Sequence, residues 1–341
     1  MPVNVYTTLD DPLGTTGTFA QGINTSGQIV GHYGDASNVF HGFLYSGGTY
    51  TTLDDPLATG DTSAAGINAA GQIVGYYFNN STHGFLYSGG TYTTLNDPLA
   101  AGLGTFATGI NDAGQVVGYY FDASGKRHGF LYSAGTYTTL DDPLGTRGTT
   151  AQGINATGQI VGYYLDASSN GHSLLYSGGT YTTLNDPLAT NSTLAYGIND
   201  MGQIVGTYGG HGFLYSGGTY TTLDDPSAAD GTEAFGINAS GQIVGDYFDA
   251  SDNRHGFLET TVPNPPPPAA TTADLILRGS NTSPVAGQVR DLRHRQQRDP
   301  RRLLLGPGWS RLAVCRPRSL LRRRHHRHDV AQHHHRRVRG L

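Results

Sequence analysis

The chain has 341 residues, 50 of them Gly and 21 Tyr, and only 14% are charged. That balance suits short strands joined by tight turns and argues against a mainly helical fold, which draws on Ala, Leu, Glu and Lys. Residues 1–262 hold four basic against 22 acidic residues, a formal charge of −18, while residues 263–341 hold 17 Arg against four Asp, or +13. The acidic body argues against nucleic acid as its partner, and a single cysteine, Cys315, excludes a disulfide framework or a thiolate metal site.

The opening Met1-Pro2-Val3-Asn4 lacks the basic and apolar regions of a signal peptide, and no apolar stretch is long enough to span a membrane. The first expected element is a lone strand, Tyr6 to Leu9. From there one pattern recurs. Gly-Ile-Asn places its Asn at 24, 68, 111, 155, 199 and 238, and Tyr-Thr-Thr-Leu places its Tyr at 6, 50, 92, 137, 181 and 220. A period of about 40–45 residues is what four strands per propeller blade require.

Within each copy, strand a ends in Gly-Ile-Asn, and an Asn-x-x-Gly turn such as Asn68-Ala69-Ala70-Gly71 follows. Asn can bond its own backbone there, and Gly supplies positive φ. Strand b is Gln72 to Tyr77, rich in β-branched and aromatic residues. Strand c runs from His83 to Ser88, and Gly89-Gly90 makes a two-residue hairpin into strand d, Thr91 to Leu95. Asn96-Asp97-Pro98 stops it, because Pro cannot continue a ladder. The sixth copy ends with strands a, b and c, the last at His255-Gly256-Phe257-Leu258. Its missing fourth strand is the one at the N-terminus. Pairing Tyr6–Leu9 with His255–Leu258 closes a ring and removes its edges. The expected fold is all-β: a six-bladed β-propeller of four-stranded antiparallel blades over residues 1–262.

These units, Gly-Ile-Asn-x-x-Gly-Gln-Ile-Val-Gly followed by His-Gly-Phe-Leu-Tyr, resemble the bacterial HAF family of extracellular repeats over residues 5–258. The family's His-Ala-Phe stands here as His-Gly-Phe, and as His172-Ser173-Leu174 in the fourth copy. The resemblance implies a secreted or cell-surface protein and no particular reaction or ligand.

Catalytic groups in a sixfold ring should be departures from the repeat. The body's two Glu are Glu233, expected in an inter-blade loop, and Glu259, at the last strand's end; Lys126, Arg127, Arg147 and Arg254 are expected in loops. No acid–base or nucleophile–base spacing is recognisable, so the expectation is a protein that is not an enzyme. The six His that open strand c (His41, His83, His128, His172, His211, His255) read as structural residues bonded within their own blades.

The d–a and b–c loops are long and variable and share one face, where binding is expected. Asp11, Asp55, Asp97, Asp142, Asp186 and Asp225 fall there, with Asp122 and Asp249, and turn capping competes with partner or cation binding for their role. Asp122-Ala123-Ser124-Gly125 and Asp249-Ala250-Ser251-Asp252 leave calcium open but lack the Glu and ligand spacing of a calcium loop. No other cofactor is expected. The functional expectation is a monomeric surface scaffold that binds an unknown partner through this face. A carbohydrate-binding or carbohydrate-cleaving propeller is the alternative.

Residues 263–272 form a Pro-rich linker, and residues 273–341 are expected to be disordered. From about Arg290 the composition collapses into Arg, His and Leu. GC-rich codons for Asp291–Gly308, read in a shifted frame, give an ordinary apolar-and-turn sequence, and a later stretch in that frame echoes Asp274–Thr282. A frameshift near Gln288–Arg290 that replaced a second repeat domain is therefore the expected origin of the tail. A basic arm for nucleic acid or membrane surface is the competing reading.

Overall fold

In the computed structural model, which describes residues 3–262, each blade is built of four antiparallel strands, and a single parallel bridge between Arg127 and Gly148 joins the sheets of blades three and four. The expectations for residues 263–272 and 273–341 lie outside the described residues. The chain opens with β1 (Val3–Leu9). Blade one is β2 (Gly17–Ile23), β3 (Ile29–Gly34), β4 (Phe40–Ser46) and β5 (Thr49–Leu53). Blade two is β6 (Thr62–Ile67), β7 (Ile73–Asn79), β8 (Ser81–Ser88) and β9 (Thr91–Leu95). Blade three is β10 (Thr105–Ile110), β11 (Val116–Phe121), β12 (Arg127–Ser133) and β13 (Thr136–Leu140). Blade four is β14 (Gly148–Ile154), β15 (Ile160–Leu165), β16 (Gly171–Ser177) and β17 (Thr180–Thr183). Blade five is β18 (Thr193–Ile198), β19 (Ile204–Tyr208), β20 (His211–Ser216) and β21 (Thr219–Leu223). Blade six is β22 (Thr232–Ile237), β23 (Ile243–Phe248) and β24 (Arg254–Val262), completed by β1.

The first strand of each blade is innermost. There the Gly of Gly-Ile-Asn meets the next blade's backbone. A Cβ on Gly22 would lie 2.8 Å from the carbonyl oxygen of Ala65, and one on Gly236 would lie 2.8 Å from that of Gln21. Only Gly permits this approach. One residue on, the Asn amides close a ring. Asn24 Nδ2 donates to the carbonyl of Asn68, Asn68 to Asn111, Asn111 to Asn155, Asn155 to Asn199, Asn199 to Asn238, and Asn238 back to Asn24, all at 3.0–3.2 Å. Each Asn also holds its own turn, as where Asn24 Oδ1 accepts from the backbone N–H groups of Ser26 and Gln28.

Away from this hub the core lies between neighbouring blades. Val244 of blade six packs with Leu9, Ala20, Ile29 and Phe43 around blade one, and Val30 of blade one packs with Ala64, Ile73 and Phe85 of blade two. The same set recurs around the ring because alternate residues of each strand face the same neighbour.

The closing seam holds the expected pairs and runs further. Leu9 pairs with Gly256, Tyr6 with Glu259 and Val3 with Val262. This extension explains an irregularity. Glu259 occupies the place where Tyr45, Tyr87, Tyr132, Tyr176 and Tyr215 face the fourth-strand Tyr of the other blades. It is 2% exposed, and its Oε1 has no partner. Burial raises its carboxyl to about 7, against a weaker pull from a hydrogen bond with Thr261.

Asn155→Ala is expected to lower the unfolding free energy by ~2 kcal/mol, seen as a lower urea midpoint at unchanged slope. Asn155→Asp keeps the turn acceptor but sets a buried carboxylate oxygen against the carbonyl of Asn199, and should destabilise at least as much as Ala. Glu259 binds its proton more tightly folded than unfolded. Its contribution is therefore complete below the ordinary Glu range and is lost as pH rises through about 7. Glu259→Gln should remove this loss, worth on the order of 3 kcal/mol, and raise the melting temperature at pH 8 but not at pH 4.

Candidate binding site on the ring axis

The long-loop face is built by the Asp-Pro turns. Asp11 donates its backbone N–H to Thr18 Oγ1 at 2.9 Å, and its Oδ1 accepts the N–H of Leu13 at 2.9 Å. The same pattern recurs at Asp55, Asp97, Asp142, Asp186 and Asp225. All six are only 3–4% exposed. Of the two expected roles this fits turn capping: they are buried beneath the face and shape it. Burial raises the carboxyls of Asp11, Asp55 and Asp97, partly offset by the backbone N–H each accepts. The same turns lift Leu13, Leu57, Leu99, Leu144 and Leu188 into solvent at 56–68% exposure, while blade six has Ser227 there.

The residue before each buried Asp is exposed and faces a His. His41 Nδ1 meets Asp54 at 2.8 Å, His128 meets Asp141 at 2.8 Å, His211 meets Asp224 at 3.0 Å and His255 meets Asp10 at 3.0 Å. Asn96 and Asn185 take this place for His83 and His172. Asp122 and Asp249 meet the other nitrogen of His128 and His255, while their Oδ1 atoms accept backbone N–H groups of their own loops. The His rings lie against Tyr33, Tyr77, Tyr120, Tyr164, Tyr208 and Tyr247. Burial opposes protonation of His41 and His255, but their two flanking Asp outweigh it and raise both pKa values. Among the described residues, no group of three or more His, Cys, Asp or Glu gathers in a way that could hold a metal ion.

The ring axis holds a different arrangement. In every blade the first and second strands slip register by one residue between the Ala and the Gly of Ala-x-Gly-Ile-Asn. The residues left unpaired are Gln21, Ala65, Thr108, Gln152, Tyr196 and Phe235. A β-bulge re-aims its extra side chain, and here all six line one axial cavity of ≈ 160 Å³, completed by Ser63, Tyr76 and Tyr119. The cavity lies on the long-loop side of the Asn ring. Its walls are aromatic: Tyr196 contacts Phe235 at 4.9 Å, and Phe106 bridges Tyr76 at 5.0 Å and Tyr119 at 4.7 Å. Burial holds the Tyr76, Tyr119 and Tyr196 phenols above their ordinary range, so they stay neutral donors.

The layer flanking the cavity differs from blade to blade. Glu233 and Arg254 were expected in loops, yet Glu233 lies in β22 and Arg254 opens β24, because the sheet of blade six extends into the segments that read as connections. Arg254 Nε donates to Asp246 Oδ1 at 2.8 Å, and Nη2 donates to Glu233. The guanidinium lies over Phe19 at 4.5 Å and Phe248 at 4.8 Å. Asp246 is wholly buried with Oδ2 unpartnered; burial pushes it up to about 7, with Arg254 pulling down and Glu233 pushing up. Arg127, also expected in a loop, opens β12. Sequence reading missed this axial set, though a signal existed: the x of Ala-x-Gly-Ile-Asn varies inside an otherwise constant strand.

No protein-family profile and no curated protein sequence matches the chain. Solved structures do resemble it. They include the fungal lectin of Aleuria aurantia, described as a six-bladed β-propeller (14% identity, 79% of this chain and 97% of that one, TM-score 0.45). SapL1 lectin with α-methyl fucoside is similar at 12% identity, 75% and 99% coverage and a TM-score of 0.49. TolB from Acinetobacter baumannii is similar at 12% identity, 72% and 54% coverage and a TM-score of 0.44. Likeness at this level does not identify a ligand, and the blade count rests on the strand pairing itself.

Arg254→Ala leaves two carboxylates in blade six without their cation and is expected to cost ~3–5 kcal/mol of stability. Arg127→Gln removes only ring contacts and one weak hydrogen bond, so under ~1 kcal/mol is expected. Urea denaturation of the two variants at pH 7 measures the contrast.

Proposed function

We propose that this chain is a non-enzymatic carbohydrate-binding propeller that takes one sugar ring into the axial cavity from the long-loop face. The observation that carries the reading is the bulged layer, which converges amides, hydroxyls and aromatic rings on ≈ 160 Å³. A cavity near 150 Å³ holds a ligand of about one six-membered ring. Amides and phenols match sugar hydroxyls, and aromatic faces match the apolar side of a sugar. None of the lining residues is acidic, whereas glycoside cleavage uses two carboxyl groups flanking the bond. Glu233 and Asp246 share one guanidinium instead. The proposal includes a monomer, and an extracellular or cell-surface location, which the resemblance of the repeat to the HAF family implies.

The five exposed leucines favour a second reading, a protein partner seated on the long-loop rim. A glycan array with the full chain, followed by titration and a product assay on any hit, separates the readings. Sugar binding without cleavage is expected, with Gln152→Ala and Tyr119→Ala each weakening it roughly tenfold. Unchanged sugar affinity in both variants contradicts the axial site. Binding of a protein partner that is lost on Leu57→Asp and Leu144→Asp supports the rim instead.

A further inference from the structure

The residue just before the strand-c His varies among the six copies: Phe40, Thr82, Arg127, Gly171, Gly210 and Arg254. The two arginines therefore stand at equivalent places in blades three and six, which are three steps apart in a ring of six and so face each other across the axis. Their surroundings differ sharply. Arg254 is neutralised by Asp246 and Glu233. In blade three the places of Glu233 and Asp246 are taken by Phe106 and Tyr119, which pair in the same register. Arg127 consequently has no carboxylate partner among the described residues. Its guanidinium lies 5.8 Å from the Tyr119 ring and 5.4 Å from the Phe121 ring, and Nη1 donates to Tyr163 Oη at 3.4 Å.

Three consequences follow. The guanidinium has five N–H donors in a planar fork, and only one is used, at the long end of hydrogen bonding. The aromatic platform fixes its plane, so little side-chain freedom remains to be lost on binding. The platform is also part of the site, since Tyr119 lines the axial cavity. A partly buried cation without a counter-ion, in a body of net charge −18, matches a single carboxylate. The same negative body repels a dense polyanion such as a nucleic acid or a heavily sulfated chain.

We infer that Arg127 forms an anion subsite beside the axial cavity and selects sugars bearing a ring carboxylate, the hexuronates. The inference rests on the carbohydrate-binding reading and names the class of sugar. Arg254, three blades away, already has Glu233 and Asp246 as partners, which leaves Arg127 as the cation open to a ligand carboxylate.

The test compares matched pairs, glucose with glucuronate and galactose with galacturonate, by calorimetric titration of the full chain at pH 7. At least one uronate should bind tenfold or more tighter than its neutral parent, the scale of a charge-assisted bidentate contact. Arg127→Gln should reduce that uronate to the affinity of the neutral sugar. Arg127→Lys, which keeps the charge but not the fork, should retain part of the preference. Equal binding of both members of each pair by the natural protein, or a uronate preference that survives Arg127→Gln, overturns the subsite while leaving sugar binding in place. Binding of none of the four overturns the carbohydrate reading and the subsite with it. A preference for glucose 6-sulfate over glucuronate, measured in the same series, overturns the assignment to carboxylates.

Discussion

The approach of the six inner strands at the hub is the constraint on which the other features depend. Six backbones can meet around one axis only if the residue at the contact has no Cβ, and the Gly of each Gly-Ile-Asn meets that condition. Such proximity buries polar backbone groups at the hub ends of the inner strands, which the ladders within the blades do not reach. The following Asn resolves this, accepting from its own turn and donating across to the next blade. The ring of amides is complete only when Asn238 reaches Asn24. The hub therefore favours a closed circle of blades over an open array, independently of the seam between β1 and β24.

A narrow hub at one end implies room at the other. Each inner strand carries a bulge just before its hub glycine, and the bulge turns one side chain per blade toward the axis. These side chains are free of the ladder and can change without disturbing the strand. The copies differ there, with amide, methyl, hydroxyl, phenol and phenyl groups around one cavity. The outer hairpins, in contrast, are nearly identical because each is fixed by its own primed turn and by packing against its neighbour. Within the inner strands, variation is thus concentrated where side chains from all six blades meet.

Much of this was legible in the sequence. The period gave the blade count, and the permuted order of strands gave the closure, because β propensity and turn chemistry agree at every step from Gln72 to Pro98. The site was less legible, for a physical reason. A bulge of one residue leaves no trace in alternation when the residue beside it is Gly, so Gln21 and its equivalents read as ordinary strand positions. The acidic ring at Asp11 and Asp55 looked like surface because Asp-Pro is a turn signal. Turn chemistry does not reveal that the carboxylate folds inward to hold the N–H of Leu13 or Leu57. Glu233, Asp246 and Arg254 lie eight to 21 positions apart, and only the register of blade six brings them together.

Charge then separates blades that shape leaves equivalent. In blade six an arginine arrives with two carboxylates, and in blade three an arginine arrives with Phe106 and Tyr119 in their places. Both guanidinium groups rest on aromatic rings, so the aromatic support is common and the anions alone distinguish them. The carboxylates beside Arg254 and the aromatic rings beside Arg127 thus give the ring an asymmetry that sixfold repetition could not supply. The repeat supplies the frame, and two substitutions within it, at the places of Glu233 and Asp246, decide which of the two arginines has a protein counter-ion.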